Sequence, residues 1–310
     1  MSKYIAFRSL FFRCTIASLV YVSFFFFNAA VGAGFSIMEQ SAKELGQAFS
    51  GAPTNTKDGS MVYFNPGAMS QVRGKLLTVA GYLIAPSAQF QNEDSKLNPL
   101  VGDFPLRGSE GGNSGNLIPI PNFYYVQALS PRLSFGLGIN APFGMESHYR
   151  SNWKGRYQAI ASELITINVN PSLAFKLTEK VSLGAGLNIQ YLEAKLSNAV
   201  DFGTICLQAI GPSACNNRGL SPQSTDGLAT LKGDNVGFGF NLGLFFVPKP
   251  GTHLGASYRS RIDHEIKGNA NFSVPDAALI LTRGGQFMDT SAHTKVTLPD
   301  QVMLGFSQNI

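Results

Sequence analysis

Scattered histidines, a cysteine pair and a row of alternating charges are the residues here whose types could do chemistry. His148, His253, His264 and His293 form no cluster, and His264-Glu265 lacks the second histidine of a zinc-binding helix. No Gly-rich nucleotide loop stands between a strand and a helix, and spacing marks no Ser–His–acid set. Cys206 and Cys215 lack the spacing of a metal site. In an oxidising compartment they are either a disulfide or two unpaired thiols. The expectation is therefore no enzyme, no metal and no cofactor, which leaves binding. Arg259, Arg261, Asp263, Glu265 and Lys267 alternate with Tyr258, Ile262 and Ile266 and should share one face of a strand. Two readings of that row stand. Arg259 or Arg261 pairs a carboxylate, which suits a planar guanidinium, or the mixed charges satisfy one another in a wet interior.

A second irregularity lies in "INAPFG" (139–144), directly after the cleanly alternating "RLSFGLG" (132–138). Proline cannot donate to a strand ladder, and glycine weakens it. Asn140, Ala141, Pro142, Phe143 and Gly144 are then either a plain strand end or a deliberate gap in a sheet.

The elements that position these residues are strands. In 165–177 the odd positions are apolar (Ile165, Ile167, Val169, Leu173, Phe175) and the even ones mostly polar (Thr166, Asn168, Asn170, Ser172). Segments 181–191 and 235–245 repeat the pattern. Strands are expected near 75–85, 118–129, 132–143, 157–177, 181–197, 235–248, 252–268 and 294–308. The links "SPR", "TEK" and "KPGT" are short and alternate with long, irregular ones. Tight turns at one end and long loops at the other characterise an up-and-down barrel in an outer membrane.

Composition agrees. Residues 1–32 have a basic start, a short apolar run and small residues after it, which predicts a secretory signal peptide. Cleavage is expected after Gly32, with Ala33 the second choice. Removing Lys3, Arg8 and Arg13 from the 24 basic residues leaves 21 against 19 acidic ones. That near-neutral balance speaks against nucleic acid as a partner. Charged residues are 14% of the chain, against about 25% in ordinary soluble domains. No later stretch is long and apolar enough for a spanning helix, so an exported chain of this kind points to a transmembrane β-barrel.

The segment before the first strand does not alternate. It carries "AGF" at Ala33, "LGQAFSG" (45–51) and Asn65-Pro66-Gly67. Further on come "PNFYY" at Pro121, "NVNPS" at Asn168, "VGFGFNLG" (236–243), "YRS" at Tyr258 and "LPD" at Leu298. In order and spacing these resemble the FadL family of outer-membrane transporters, whose hatch motif usually reads Asn-Pro-Ala. The resemblance implies an all-β, antiparallel up-and-down barrel of fourteen strands in a Gram-negative outer membrane, blocked by a partly helical N-terminal hatch. About eight of those strands are visible. The expected domains are a signal peptide (1–32), a hatch (33–74) and a barrel (75–310) incomplete at its C-terminus, from a fragment or a truncated gene.

The resemblance further implies a ligand groove on external loops and a lateral exit at a kink in the third strand, which places 140–144 at the exit. Asn65, Pro66 and Gly67 belong to the hatch, with Asn65 the candidate to cover the gap. Ile205, Leu207 and Ile210 on one loop and Leu279, Ile280 and Leu281 on another are groove candidates. The bland alternative is that these loops pack on each other. The expected activity is passive uptake of long-chain fatty acids or related hydrophobic molecules by a monomer in contact with outer-membrane lipid. The alternatives are a monoaromatic hydrocarbon channel and a structural or adhesive surface barrel.

Overall fold

The computed structural model describes residues 35–97 and 104–309. The predicted signal peptide and its cleavage site lie outside the described residues.

Among the described residues, eleven strands form one antiparallel sheet: β1 (Lys75–Ile84), β2 (Ile118–Ala128), β3 (Leu133–Asn140), β4 (Gly144–His148), β5 (Ala161–Lys176), β6 (Val181–Asp201), β7 (Asp226–Lys249), β8 (Thr252–Arg259), β9 (Ile262–Ser273), β10 (Thr290–Leu298) and β11 (Gln301–Gln308). They make eight passes. β3 and β4 both pair with β5, β8 and β9 both pair with β7, and β10 and β11 continue one another along β9 and β8. The sheet curls into a half-barrel whose path runs from β1 to β11. No helix among the described residues is long and apolar enough to cross a membrane. Short turns after β2, β5 and β7 alternate with long connections, as expected.

Alternation decides which face meets lipid. On β7, Val236, Phe238, Phe240, Leu242 and Leu244 are exposed, while the intervening Asn241 and the next residue, Phe245, are buried. Across β5 and β6 the buried partners are Thr166, Asn168, Asn170, Asn188 and Gln190. A polar inner face with an apolar outer one fits a membrane barrel.

The seventh pass departs from the expectation. β7 pairs Asn241 with Arg259 on β8 but Asp234 with Lys267 on β9, a register shift of one residue. One extra residue at Ser260–Arg261 reverses the inward and outward positions. Arg259 therefore points inward and is buried, whereas Arg261, Asp263, Glu265 and Lys267 are exposed. The predicted inward row of five charges does not exist. Asp263 accepts from Thr297 Oγ1 at 2.6 Å, and Glu265 pairs with Lys295 at 2.8 Å.

The segment before β1, read from sequence as a hatch, packs on the concave face. It begins with one helical turn, α1 (Ala42–Leu45), capped by Ser41 Oγ, which accepts from Glu44 N at 3.2 Å. A 3-10 turn (Ala52–Thr54), the helical turn α2 (Met61–Phe64) and a second 3-10 segment (Pro66–Gln71) follow. Met61, Val62, Phe64, Ala68 and Met69 are fully buried with Tyr124, Val126 and Phe245 of the wall. Glycines in the wall admit the hatch backbone: a Cβ on Gly184 would lie 2.3 Å from Pro66 C, and one on Gly255 2.2 Å from Pro53 O. Such contacts bring backbone against backbone, where no side chain can yield.

Candidate functional site

The third pass is interrupted where the sequence reads Ala141-Pro142-Phe143. Asn140 pairs with Asn168 and Gly144 with Ile165, so three residues on this strand face two on β5. The break also ends pairing on the other side. β3 pairs with β2 only up to Phe123↔Ile139, and β4 pairs only with β5. Residues 118–122 of β2 are held by β1 alone. The wall thus has a gap between β2 and β4.

Unpaired backbone at membrane depth is costly unless protein satisfies it. Here residues 35–40 do so. Ile37 N donates to Pro142 O at 2.9 Å, and Gly144 N donates to Phe35 O at 2.9 Å. Ser36 and Phe143 form an antiparallel bridge. Gln40 Nε2 donates to Ala141 O at 3.0 Å and to Ile37 O at 3.1 Å. Thr166 Oγ1 accepts from Phe143 N at 3.0 Å and donates to Phe143 O at 2.6 Å. Pro142 needs no partner for a donor it lacks. The hatch start is therefore a short added strand that plugs the gap. The ring of Phe35 stands edge-on to that of Phe143, 6.0 Å between centroids.

Asn65 is not the cover. Its Nδ2 donates to Pro53 O at 2.8 Å and Leu244 O at 3.0 Å, and its Oδ1 accepts from Gly67 N at 3.0 Å. It caps the Pro66–Gln71 segment and ties the hatch to β7, away from the break. Gln40, Thr166 and Tyr124, whose O–H donates to Gln40 O at 3.0 Å, do act at the break and carry no spacing signal that marks them for it.

Beside the plug lies a cavity of about 680 Å³. Ile37 lines it from the plug, Phe143 from the break, Ile120 from β2, and Ile139, Ile165 and Ile167 from the membrane-facing side. Asn140, Thr166 and Glu146 are the polar side chains among its lining residues. A larger concavity, about 710 Å³, lies over outward residues such as Leu173, Phe175 and Leu183 and belongs to the lipid-facing surface.

Arg259 and Arg261 have different surroundings. Arg259 is 5% exposed; its Nη1 donates to Asn188 Oδ1, its Nη2 to Tyr63 O at 3.1 Å, and its guanidinium stacks 4.3 Å from the Tyr63 ring centre. No carboxylate pairs with it among the described residues. Arg261 is exposed, and its backbone N–H donates to Asp300 at 2.8 Å.

On the long loops, α3 (Phe202–Ile210) and α4 (Pro212–Asn216) are joined by a Cys206–Cys215 disulfide. Ile205, Leu207 and Leu281 pack on the buried cluster of Phe202, both cysteines, Leu220 and Ala278. Ile210 and Leu279 remain exposed, and Ile280 is half-buried. The two loops thus pack on each other and leave an apolar crest. Nearby, Arg156 Nε bonds Asp226 at 2.7 Å and fixes the loop before β5. Burial, with Asp201 and Asp226 close by, pushes the Tyr157 phenol well above its usual value.

Comparison with known proteins agrees with this architecture. The chain is 26% identical to a "Long-chain fatty acid transport protein" of Escherichia coli over 252 residues, covering 79% of this chain and 54% of that protein. It is 26% identical to "Outer membrane protein P1" of Haemophilus influenzae over 300 residues, covering 91% and 63%. A solved FadL homologue of Pseudomonas aeruginosa superposes with a TM-score of 0.70 at 26% identity, over 89% of this chain and 66% of that one. A monoaromatic hydrocarbon channel, CymD, shares the fold at 18% identity and a TM-score of 0.51, over 82% of this chain and 61% of that one. The chain thus spans little more than half to two thirds of the length of these relatives. The model of the outer membrane protein transport protein family (OMPP1/FadL/TodX) matches residues 24–310. With the curled antiparallel sheet, the filled hatch and the lipid-facing alternation, that match makes this chain a member of the OMPP1/FadL/TodX family of Gram-negative outer-membrane transport proteins.

Proposed function

We propose that this chain forms the hatch-bearing part of a channel through which a hydrophobic acid crosses the outer membrane passively and leaves sideways into the lipid. The observation that carries this reading is the gap between β2 and β4, closed by the bridge from residues 35–37 and flanked by the apolar cavity of about 680 Å³. A plug held by a few backbone bonds is easier to displace than a continuous ladder, and an isoleucine-lined cavity suits a hydrocarbon chain. A long-chain fatty acid is the favoured substrate over a monoaromatic hydrocarbon. Arg259 is a buried cation without an acid partner among the described residues, and a carboxylate would complete it. The apolar crest with Ile210 and Leu279 is the proposed first contact for substrate, and residues 33–74 the proposed hatch domain.

The test is the double substitution Pro142→Val with Gly144→Val in the full-length protein. It restores a donor at position 142 and crowds Ile37, which would lie 2.9 Å from a Cβ at Gly144. Oleate uptake is expected to be lost while the heat-modifiable folded barrel persists. Normal uptake by a folded double variant refutes the lateral exit.

A further inference from the structure

The inner wall carries a row of buried amides that the transport reading does not use. Asn140 on β3, Asn168 on β5 and Asn188 on β6 are each at most 3% exposed. They lie between two groups of opposite roles: Gln40 in the plug and Arg259 beneath α2. Asn140 Nδ2 donates to Gln40 Oε1 at 2.7 Å. Asn168 Nδ2 donates to Asn140 Oδ1 and to Asn188 Oδ1, both at 3.2 Å. Arg259 Nη1 also donates to Asn188 Oδ1. The chain from guanidinium to plug is unbroken.

Such a chain has a direction. Each amide presents a donor and an acceptor of nearly equal shape, so a half-turn of one side chain forces its neighbour to turn as well. Arginine is different, because it can only donate. Arg259 therefore fixes the Asn188 oxygen towards itself. That oxygen demands the Asn168 NH2, which in turn demands the Asn140 oxygen. The Asn140 NH2 is then left for the Gln40 oxygen, and the Gln40 NH2 is aimed at Ala141 O and Ile37 O. The first of these bonds ties the plug to the wall and the second braces residues 37–40, beside the backbone bonds of Ile37 and Gly144. With the chain reversed, Gln40 would present its oxygen to two carbonyl oxygens, and the bond to the wall and the brace would both be lost.

We infer that Arg259 is a positioning residue for the exit: acting through Asn188, Asn168 and Asn140, it sets the orientation of the Gln40 amide that keeps residues 35–37 in the wall. The inference deepens the lateral-exit reading and rests on it for its meaning. It is measured at the plug itself, so its failure and the failure of that reading are distinguishable. The relay can exist in a barrel that takes up no oleate, and oleate can leave by the gap without a relay.

The test is hydrogen–deuterium exchange at the Ile37 and Gly144 amides of the full-length protein in detergent. Arg259→Met should speed exchange at both at least about tenfold. Arg259→Lys, also donor-only, should stay within about threefold of wild type. Because Arg259 also bonds Tyr63 O, loosening of the hatch alone needs separating. Asn168→Leu does this, since the described side-chain hydrogen bonds of Asn168 go only to Asn140 and Asn188. It should accelerate the plug amides like Arg259→Met while amides of 61–69 keep wild-type exchange. In a Gln40→Met background, Arg259→Met should add nothing further at the plug. Unchanged plug exchange in Asn168→Leu, or an Arg259→Met effect of the same size with and without Gln40, overturns the inference.

Discussion

Replacing Asn65 with alanine should undock the hatch without opening the wall. Asn65 is fully buried, and its side chain satisfies three backbone groups: Pro53 O, Leu244 O and Gly67 N. Alanine satisfies none of them. A buried backbone group left without its partner costs about 1–3 kcal/mol. Three at the low end give about 3 kcal/mol. At about 1.4 kcal/mol per tenfold, that predicts hatch amides exchanging about a hundredfold faster. The natural probes are Asn65 N, bonded to Met61 O at 2.8 Å, and Ala68 N, bonded to Asn65 O at 3.0 Å. Strand amides of β6 and β7 should keep their protection, because the ladder between them does not pass through the hatch. Asn65→Asp is the control. It keeps an acceptor for Gly67 N but sets a carboxylate oxygen against two carbonyls, so it should be no better than alanine. The assay is hydrogen–deuterium exchange read by peptide across 53–69. A change below about threefold in Asn65→Ala would refute the view that this asparagine anchors the hatch.

Two further outcomes follow from the same geometry. The Cys206–Cys215 bond closes a loop with a sequence separation of 9, which by loop entropy stabilises it by about 2–3 kcal/mol. Cys206→Ala with Cys215→Ala should make α3 and α4 far more sensitive to protease while the thermal unfolding of the barrel stays unchanged. Equal protease resistance would show that the Phe202–Leu220 cluster alone holds the loop. Glu44 predicts a pH dependence of hatch docking. Burial, and next the nearby Asp58, raise its carboxyl above the ordinary 4.5, against the lowering by Lys43 and Lys57. The docked hatch therefore binds more protons than the undocked one. Docking is strongest below pH 4.5 and weakens as pH rises through the raised value. Hatch exchange, corrected for intrinsic rates, should be slower at pH 4.5 than at pH 7, and Glu44→Gln should remove that difference. A difference that persists in Glu44→Gln assigns the pH dependence to another group.

The sequence shows most of the architecture because barrel strands obey a local rule. Ile165 to Phe175 alternate against Thr166 to Ser172 whatever the rest of the chain does. Turns such as "TEK" are short because they join neighbouring strands. The bulge at Ser260–Arg261 escapes that rule. One inserted residue reverses every later position, and a row of charges looks equally regular before and after it. Period-two reading therefore placed Asp263, Glu265 and Lys267 inside, where the structure has Ile262, His264 and Ile266. The motif residues Asn65, Pro66 and Gly67 stand out in the sequence, yet what Asn65 bonds depends on packing against Leu244, 179 positions away. Gln40 is the extreme case. It sits in a segment without periodicity, and its partners Asn140 and Ala141 are about a hundred residues distant. Only the folded sheet brings them together.

If residues 35–37 close a passage at the break in the third pass, a reversible lock at that point should stop and restart transport. Ser36 and Phe143 face each other in the antiparallel bridge. Ser36→Cys with Phe143→Cys in the full-length protein can be joined by oxidation and released by reductant, with each single variant as control. Oleate uptake by the oxidised double variant should fall to the level of cells without the protein and recover on reduction. Undiminished uptake with the disulfide shown to be formed would contradict it, because substrate would then have left by another route.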